Sequence, residues 1–503
     1  MSTTTSFNPY DGQPVSVVPD STPEAVQQKV ADAVATAAEV AATSPQVRRG
    51  WLNAIADSLE GHLDELVAMA DLETGLGAAR LSAELSRTAG QLRFYGDVAA
   101  EGSYLAVAID EASATTPLLV RLNQPLGPVA IFGASNFPFA FSVLGNDTGS
   151  ALAAGCPVVV KAHPAHAGLS VRLAELAEDA LRRAGAPDGA FALISGHHAG
   201  VCLVQAEEVA AVAFTGSQSG GLALWRLANE RERPVPVYAE MGTVNPVVVT
   251  PDATARLDEV ARGFVGSFTL GAGQYCTKPG LMLVPAGHDA AARVGAALTT
   301  AAPSPLMLTE SIAASVEHGL ADLVAAGATV VTTLRGAQAG WSAPAAVLSA
   351  PVSALVEGSR LLEECFGAVA LVVEYADDHD LHAALLALQA SLTATVVAGD
   401  DSDPDAPRLV DLLSRKVGRV TVGDWPTGVA YTWAQHHGGP WPATSDARAT
   451  SVGAAALDRF VRPVTYQSTP DGWLPPAGRS DNPWNVPRRV NGVLDAGARA
   501  QPS

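Results

Sequence analysis

The sequence predicts an α/β protein with two doubly wound parallel-sheet domains and a small β element suited to subunit pairing. Three observations carry this reading. From Gly127 to Gly242 short apolar runs alternate with helical runs, the pattern of a parallel sheet covered by helices on both faces. A second alternating region spans residues 245–424. Between an all-helical N-terminal part and the first alternating region, two strand-like runs flank a polar turn.

Taken in order, Ser21 to Gly102 reads as helices. Ser21 and Glu24 have capping-box spacing with Pro23 in the first turn. Val26, Val30 and Val34 recur at every fourth residue and predict one apolar face. The runs "RRGWLNAIADSLEGHLDELVAMADLETG" and "ARLSAELSRTAGQLRFYGDVAAEG" continue the helical layer. "YLAVAID" and "TPLLVRLN" read as two strands, either an element that pairs subunits or an ordinary edge hairpin. In the first alternating region "GPVAIFGA", "PVVVKA", "AFALIS", "VAAVAFTGS" and "VPVYAEMG" are strands, separated by helical runs beginning with "FSVLGNDTGSALAAG". The second includes the strands "NPVVVT", "KPGLMLVP", "ALVVEY" and "SLTATVVAG". From Arg462 a tail rich in Pro and aromatic residues reads as an extended arm.

The bulk numbers narrow the function. The chain has 503 residues, 48% apolar and 16% charged, a globular composition large enough for several cores. Its net charge of −20 opposes binding to a nucleic-acid backbone. Four scattered cysteines, with no CxxC and no Cys/His ligand spacing, predict neither a disulfide framework nor a metal site. No basic-then-apolar leader and no apolar run of roughly 20 residues is visible, so a cytoplasmic protein without a membrane span is expected.

Four stretches carry chemistry. "GAGQYCTKPG" surrounds Cys276 with glycines and polar residues. Cys276 is either a nucleophile, which needs a partly exposed and electropositive setting, or core filler, the usual place of a free cysteine. Glu240 ends the apolar strand of "YAEMGTVNP". It is either a surface carboxylate or a general base at the carboxyl end of a sheet strand, where open α/β sheets bind ligands. Asn136, in "FGASNFPFAFS", is either a turn residue or an amide donor to an oxyanion. In "AFTGSQSGG" a strand ends at Gly216 and Ser217 and a helix starts near Gly220. That arrangement suits a phosphate, although neither the P-loop nor the GxGxxG fingerprint is present.

Together and in this order, these stretches resemble an aldehyde dehydrogenase over nearly the whole chain, from "NPYDGQPV" to "RPVTYQ". "FGASNFP", "ALAAGCPVVVKAHPAH", "HGGPWPATSD" and "SVGAAALDRFVRPVTYQ" are most similar to the branch that oxidises 2-oxoglutarate semialdehyde (2,5-dioxopentanoate), and to a fatty-aldehyde relative that prefers NADP. The resemblance implies an aldehyde dehydrogenase-like fold. Residues 1–103 and 125–244 would bind the cofactor, 245–430 would be catalytic, and 104–124 with 462–503 would form the pairing hairpin and C-terminal arm. It implies that Cys276 attacks the aldehyde carbon, that Asn136 and the Cys276 N–H hold the oxygen, that hydride loss to a nicotinamide leaves a thioester, and that Glu240 activates water. Lys161 and Glu364 would hold the riboses; Gly216, Ser217 and Gly221 would meet the pyrophosphate, with Phe366 beside Glu364.

Thr243 and Val244 stand where the family usually has a glycine and a lysine, and Ala368 where it has a proline. Pro164 replaces the glutamate that NAD-preferring relatives often set against the adenosine 2′-OH. His163, His197 or His198 is near that point. NADP acceptance beside NAD is therefore expected. Phe137 and Phe141 are expected to wall the aldehyde tunnel and His437 and Trp441 to line its mouth, or else to pack as core around a loop; a substrate carboxylate is expected to meet an arginine, of which Arg448 is one candidate, or polar backbone. The partners expected are a small aldehyde and a second copy of the chain, as a homo-dimer or homo-tetramer. A CoA-acylating relative is the alternative that Glu240 argues against.

Overall fold

The computed structural model describes residues 2–336 and 339–497. The chain opens with a hairpin that the residue pattern does not announce, β1 (Thr3–Phe7) and β2 (Pro14–Pro19). The buried carboxylate of Glu73 ties it down, accepting from the Ser16 hydroxyl at 2.6 Å and from the N–H groups of Gly168 and Leu169. Four helices follow: α1 (Pro23–Ala42), α2 (Pro45–Gly61), α3 (Leu63–Thr74) and α4 (Ala78–Glu101).

Two details of α1 differ from expectation. The cap is Thr22, whose hydroxyl accepts from the Ala25 N–H at 3.2 Å; the Ser21 hydroxyl instead accepts from the Ser195 N–H at 3.1 Å. The buried face runs Val26, Val30, Ala33 and Val40, while Val34 is exposed. At 3.6 residues per turn a strict spacing of four drifts off the face by the third residue, and a step of three restores it.

Strands β3 (Val107–Asp110) and β4 (Leu119–Pro125) form the expected hairpin. The first parallel sheet then has the order β7-β6-β5-β8-β9. Its strands are β5 (Val129–Phe132), β6 (Val158–Lys161), β7 (Phe191–Ile194), β8 (Ala211–Gly216) and β9 (Val237–Met241). Helices α5 (Asn146–Ala154), α6 (Ala167–Arg183), α7 (His197–Gln205) and α8 (Gln218–Asn229) cross between them. The strands are apolar on both faces because both faces are covered.

The helical run expected to begin at Phe141 begins only at Asn146. The preceding segment turns irregularly because Glu84 of α4 holds it, its Oε1 accepting from the N–H groups of Phe139 and Ala140 at 2.9 and 3.0 Å. The buried Arg459–Asp147 pair at 2.8 Å, with Ser150 at 3.1 Å, anchors α5 from the far end of the chain.

The second sheet has seven strands in the order β12-β13-β14-β11-β10-β15-β16. They are β10 (Pro246–Val249), β11 (Leu281–Pro285), β12 (Thr329–Arg335), β13 (Pro344–Ser349), β14 (Val369–Tyr375), β15 (Ser391–Val397) and β16 (Val417–Val422). All pairs are parallel except the edge pair β12–β13. The tail closes a third sheet, β17-β4-β3-β18-β19, with β17 (Val461–Gln467), β18 (Arg488–Val490) and β19 (Val493–Asp495). Residues 498–503 of the C-terminal arm lie outside the described residues. No helix among the described residues is long and apolar enough to cross a membrane.

Candidate active site

Lys161, Gly216 and Glu240 sit at or beside the carboxyl ends of β6, β8 and β9, which open onto one cavity of about 790 Å³. Its walls include Asn136, Phe137, Phe141, Lys161, Ser217, Glu240, Cys276 and Glu364. The cavity joins the first sheet to the loop that carries Cys276, which precedes β11.

The polar residues around Cys276 fix this loop; they do not surround the sulfur with positive charge. Gln274 reaches residues 306–308, accepting from the Leu308 N–H at 3.0 Å and donating to the Leu306 carbonyl at 3.2 Å. The Thr277 hydroxyl donates to the Thr427 carbonyl at 3.1 Å. Lys278 is buried, and its ammonium points at the carbonyls of Cys365 and Val369, each at 2.9 Å. Asn245, at φ 51°, donates to the Cys276 carbonyl at 2.7 Å. The glycines also serve the loop. Gly273 has φ 73°, and a Cβ there would collide with the Gly367 carbonyl, so only glycine fits.

The expected electropositive setting is accordingly absent. Burial, then the carboxylates of Glu240 and Glu364, push the Cys276 thiol well above its usual pKa, against the pull of the N–H groups of Cys276 and Thr277. A protonated thiol is a poor nucleophile and needs a base.

His437 is the imidazole within reach. Its Nε2 stands 3.5 Å from Cys276 Sγ and 3.0 Å from Glu240 Oε1, and the reactive atoms of all three residues lie within 4.8 Å of one another. The Glu240 Oε1 atom has no well-aligned hydrogen bond, so the single nitrogen can serve the sulfur or the carboxylate in turn. Burial works to raise the Glu240 carboxyl, but His437, the Ser451 hydroxyl that donates to Oε2, and Arg459 outweigh it and hold the group below its ordinary value. His437 is thus buried between thiol and carboxylate and not at the tunnel mouth where it was expected. Asn136 spends one amide hydrogen on the Gln274 carbonyl at 2.7 Å and keeps a second for an oxygen in the cavity.

On the opposite side the residues present fit a dinucleotide. Ser217 caps α8, its hydroxyl accepting from the Gly220 N–H at 3.2 Å, and the first turn faces the cavity. Gly221 is buried, because a Cβ there would meet Met241 at 2.7 Å. Its role is helix–sheet packing. Glu364 has a buried Oε1 without a partner, and burial raises the group to about 7 in spite of Lys278 and Arg360. An unpaired buried acceptor of this kind suits a sugar hydroxyl. Lys161, His163, Pro164, His197 and Phe366 line the same end, whereas His198 turns away to Cys202 at 3.6 Å.

Of the residues expected at the aldehyde tunnel, Phe137 and Phe141 pack with ring centroids 5.3 Å apart, and Tyr275 closes on Phe137 at 5.0 Å. Trp441 does not join them. It is 52% exposed and packs on Trp225. Arg448 is also displaced from its expected place, with a side chain 94% exposed and 3.5 Å from Asp446.

Comparison with known proteins agrees with this geometry. Residues 2–441 match the aldehyde dehydrogenase family. The chain is 42% identical, over 97% of its length and 96% of the relative's, to alpha-ketoglutaric semialdehyde dehydrogenase 2 of Azospirillum brasilense. It is 39% identical, over 97% and 95%, to alpha-ketoglutaric semialdehyde dehydrogenase of Acinetobacter baylyi. Among solved structures, betaine aldehyde dehydrogenase of Staphylococcus aureus in complex with NAD+ superposes with a TM-score of 0.80 at 19% identity, covering 94% of this chain and 96% of that one. With a thiol, a carboxylate and a dinucleotide cleft converging at the strand ends, and with the match covering most of its length, this chain belongs to the aldehyde dehydrogenase family.

Proposed function

We propose that this enzyme oxidises 2-oxoglutarate semialdehyde to 2-oxoglutarate through a thioester on Cys276, accepting NADP as well as NAD. The observation that carries the mechanism is His437 Nε2, within reach of both Cys276 Sγ and Glu240 Oε1. The substrate rests on identity to two relatives named for that semialdehyde over nearly their whole lengths.

Nε2 takes the thiol proton, and the sulfur forms a bond to the aldehyde carbon. The resulting alkoxide lies between the free Asn136 amide hydrogen and the Cys276 N–H. The chemistry that NAD(P) supplies when bound is hydride acceptance: the C–H bond of that carbon breaks, a second C–O bond forms, and the thioester is left. Glu240 then takes a proton from water, which adds to the thioester carbon. Collapse expels the sulfur, which recovers its proton from His437. Aldehyde, water and oxidised dinucleotide thus give acid, reduced dinucleotide and a proton. Glu240 beside the sulfur favours water over CoA as the acceptor.

NADP acceptance follows from charge. Among the described residues the carboxylates lining the cavity are Glu240 and Glu364, both acting on the thiol; the Lys161 end of the lining carries none, and Asp20, outside the lining, acts on Lys161 itself. His163 accepts from the Ala165 N–H through Nδ1 at 3.1 Å. Burial, His166 and Lys161 hold its pKa well below the usual value, so Nε2 carries the proton it can donate to a phosphate.

Residues 1–103 with 125–244 form the cofactor-binding half of the proposed enzyme, and 245–430 the thiol-bearing half. The third sheet, whose edge exposes Val493 and Leu494, is the surface for a homo-dimer or homo-tetramer. The test is a panel of 2-oxoglutarate semialdehyde, succinate semialdehyde and medium-chain aldehydes, with NADP or NAD, with and without CoA. The highest kcat/KM is expected for 2-oxoglutarate semialdehyde, with free acid formed and CoA without effect. Strong rejection of NADP, or acyl-CoA as product, refutes the corresponding part.

Lys161 gives a pH signature. Burial lowers its pKa to about 8, although Asp20 pulls it up. The ammonium is the form that donates to a ribose or phosphate, and binding raises its pKa further. Dinucleotide affinity should be complete below about pH 8 and fall by up to about tenfold per pH unit above it. KM for NADP measured from pH 6 to 10 checks this; a flat profile overturns it.

A further inference from the structure

Arg80 and Arg87 lie seven residues apart on α4 and so on one face of the helix. That face looks onto the aromatic wall beside the thiol. The Arg80 guanidinium carbon is 5.2 Å from the ring centroids of both Phe137 and Tyr275, and that of Arg87 is 5.8 Å from Phe141. Tyr275 precedes Cys276 in the chain, and Phe141 packs 6.4 Å from His437.

The two guanidiniums lack counter-charges. Neither forms an ion pair among the described residues, although most arginines of this acidic chain on α2, α6 and α13 (Ala406–Ser414) do. Arg80 donates once, from Nη2 to the Asn136 carbonyl at 2.7 Å, and its Nε is buried without a partner. Arg87 makes no hydrogen bond among the described residues, and both its Nε and Nη2 are buried without partners. The carboxyl group between them on the helix, Glu84, is not their partner. Its Oε1 is taken by the Phe139 and Ala140 N–H groups, and burial raises its pKa against the pull of Arg80 and Arg87. Arg419, whose charge also reaches Cys276, commits both of its terminal nitrogens, to the carbonyls of Gly428, at 2.7 Å, and Pro426, and only its Nε is left buried without a partner.

Buried cationic donors without acceptors are costly. Two planar forks over aromatic faces next to a reactive sulfur have the chemistry to receive a carboxylate. We propose that Arg80 and Arg87 bind the distal carboxylate of the substrate and thereby select aldehyde acids over uncharged aldehydes. This inference rests on the aldehyde-oxidising site described above and assigns its specificity.

The test compares 2-oxoglutarate semialdehyde, succinate semialdehyde and uncharged pentanal, with saturating NADP, in wild type, Arg87→Met, Arg87→Lys and Arg80→Met. Arg87→Met should lower the ratio of kcat/KM for the aldehyde acids over pentanal by about 30-fold, the scale of losing a charge-assisted contact. The loss should appear in KM and be matched by weaker competitive inhibition by glutarate. Arg87→Lys should recover part of the ratio, because charge remains while the fork is lost. Arg80 also holds the Asn136 carbonyl, so Arg80→Met should in addition lower kcat on all three substrates. Equal loss on acids and pentanal in Arg87→Met, or an unaltered ratio, overturns the proposal. Should wild type prefer succinate semialdehyde while Arg87→Met still loses the ratio, the assigned substrate fails and the carboxylate site stands. Should wild type prefer 2-oxoglutarate semialdehyde while Arg87→Met keeps the ratio, the substrate stands and the carboxylate site fails.

Discussion

Cys276→Ala should lower kcat by at least about 10⁴-fold, because removing a nucleophile leaves only binding and positioning. Dinucleotide affinity should be nearly wild type, since Lys161, Ser217 and Glu364, the residues proposed to hold the riboses and phosphates, are unchanged. Substrate-trapped wild-type enzyme digested for mass spectrometry should carry the acyl mass on the peptide containing Cys276. The other three cysteines offer no substitute. Cys156 is buried and donates to the Phe460 carbonyl, Cys202 contacts His198, and Cys365, which borders the same cavity, is buried, and burial raises its thiol. Full dehydrogenase activity in the alanine variant, or an adduct on another cysteine, would sink the assignment.

Glu240→Gln separates the two halves of the reaction. The glutamine keeps the shape of the side chain and the contact with Ser451 but cannot take a proton from water. Steady-state turnover should drop by about 10²–10⁴-fold, while a burst of about one reduced dinucleotide per thiol survives and the acyl-enzyme accumulates. In wild type, burial works to raise this carboxyl, but His437, Ser451 and Arg459 hold it below its ordinary value. The base form therefore persists through neutral pH, and deacylation should weaken only on the acid side of the ordinary carboxylate range. Stopped-flow absorbance checks both points. Undiminished turnover, or loss of the burst together with turnover, contradicts the role.

The alternating apolar runs are legible because a strand buried on both faces has few ways to be written. All nine strands expected from the two alternating regions are present in the two parallel sheets. Glu240 and Asn136 stand out because each sits where an apolar strand gives way to a turn, and Cys276 because glycines and polar residues surround it ahead of β11; the structure brings all three to one cavity. What fails does so for definable reasons. A rigid fourth-residue spacing misplaces Val34. The β1–β2 hairpin escapes notice because its burial depends on Glu73 of α3 and on α6 rather than on its own pattern. Arg448 is exposed rather than turned to the substrate, and Trp441 packs on Trp225; both lie in loops, where no periodicity says which way a side chain faces.

By itself the sequence determined the fold class, which follows from local periodicity, and singled out Cys276, Glu240 and the turn at Gly216 and Ser217 as candidates, to which only the family resemblance gave roles. Only the tertiary structure brought His437 to the thiol and Arg80 and Arg87 to the aromatic wall. Cys276 and His437 are separated by 161 residues, and Arg80 and Tyr275 lie further apart still. Each pair meets because sheets and helices from different parts of the chain pack together. Burial then sets the chemistry. It raises the thiol, leaves a glutamate oxygen without a donor and leaves nitrogens of two guanidiniums without acceptors, effects of desolvation that no run of letters displays.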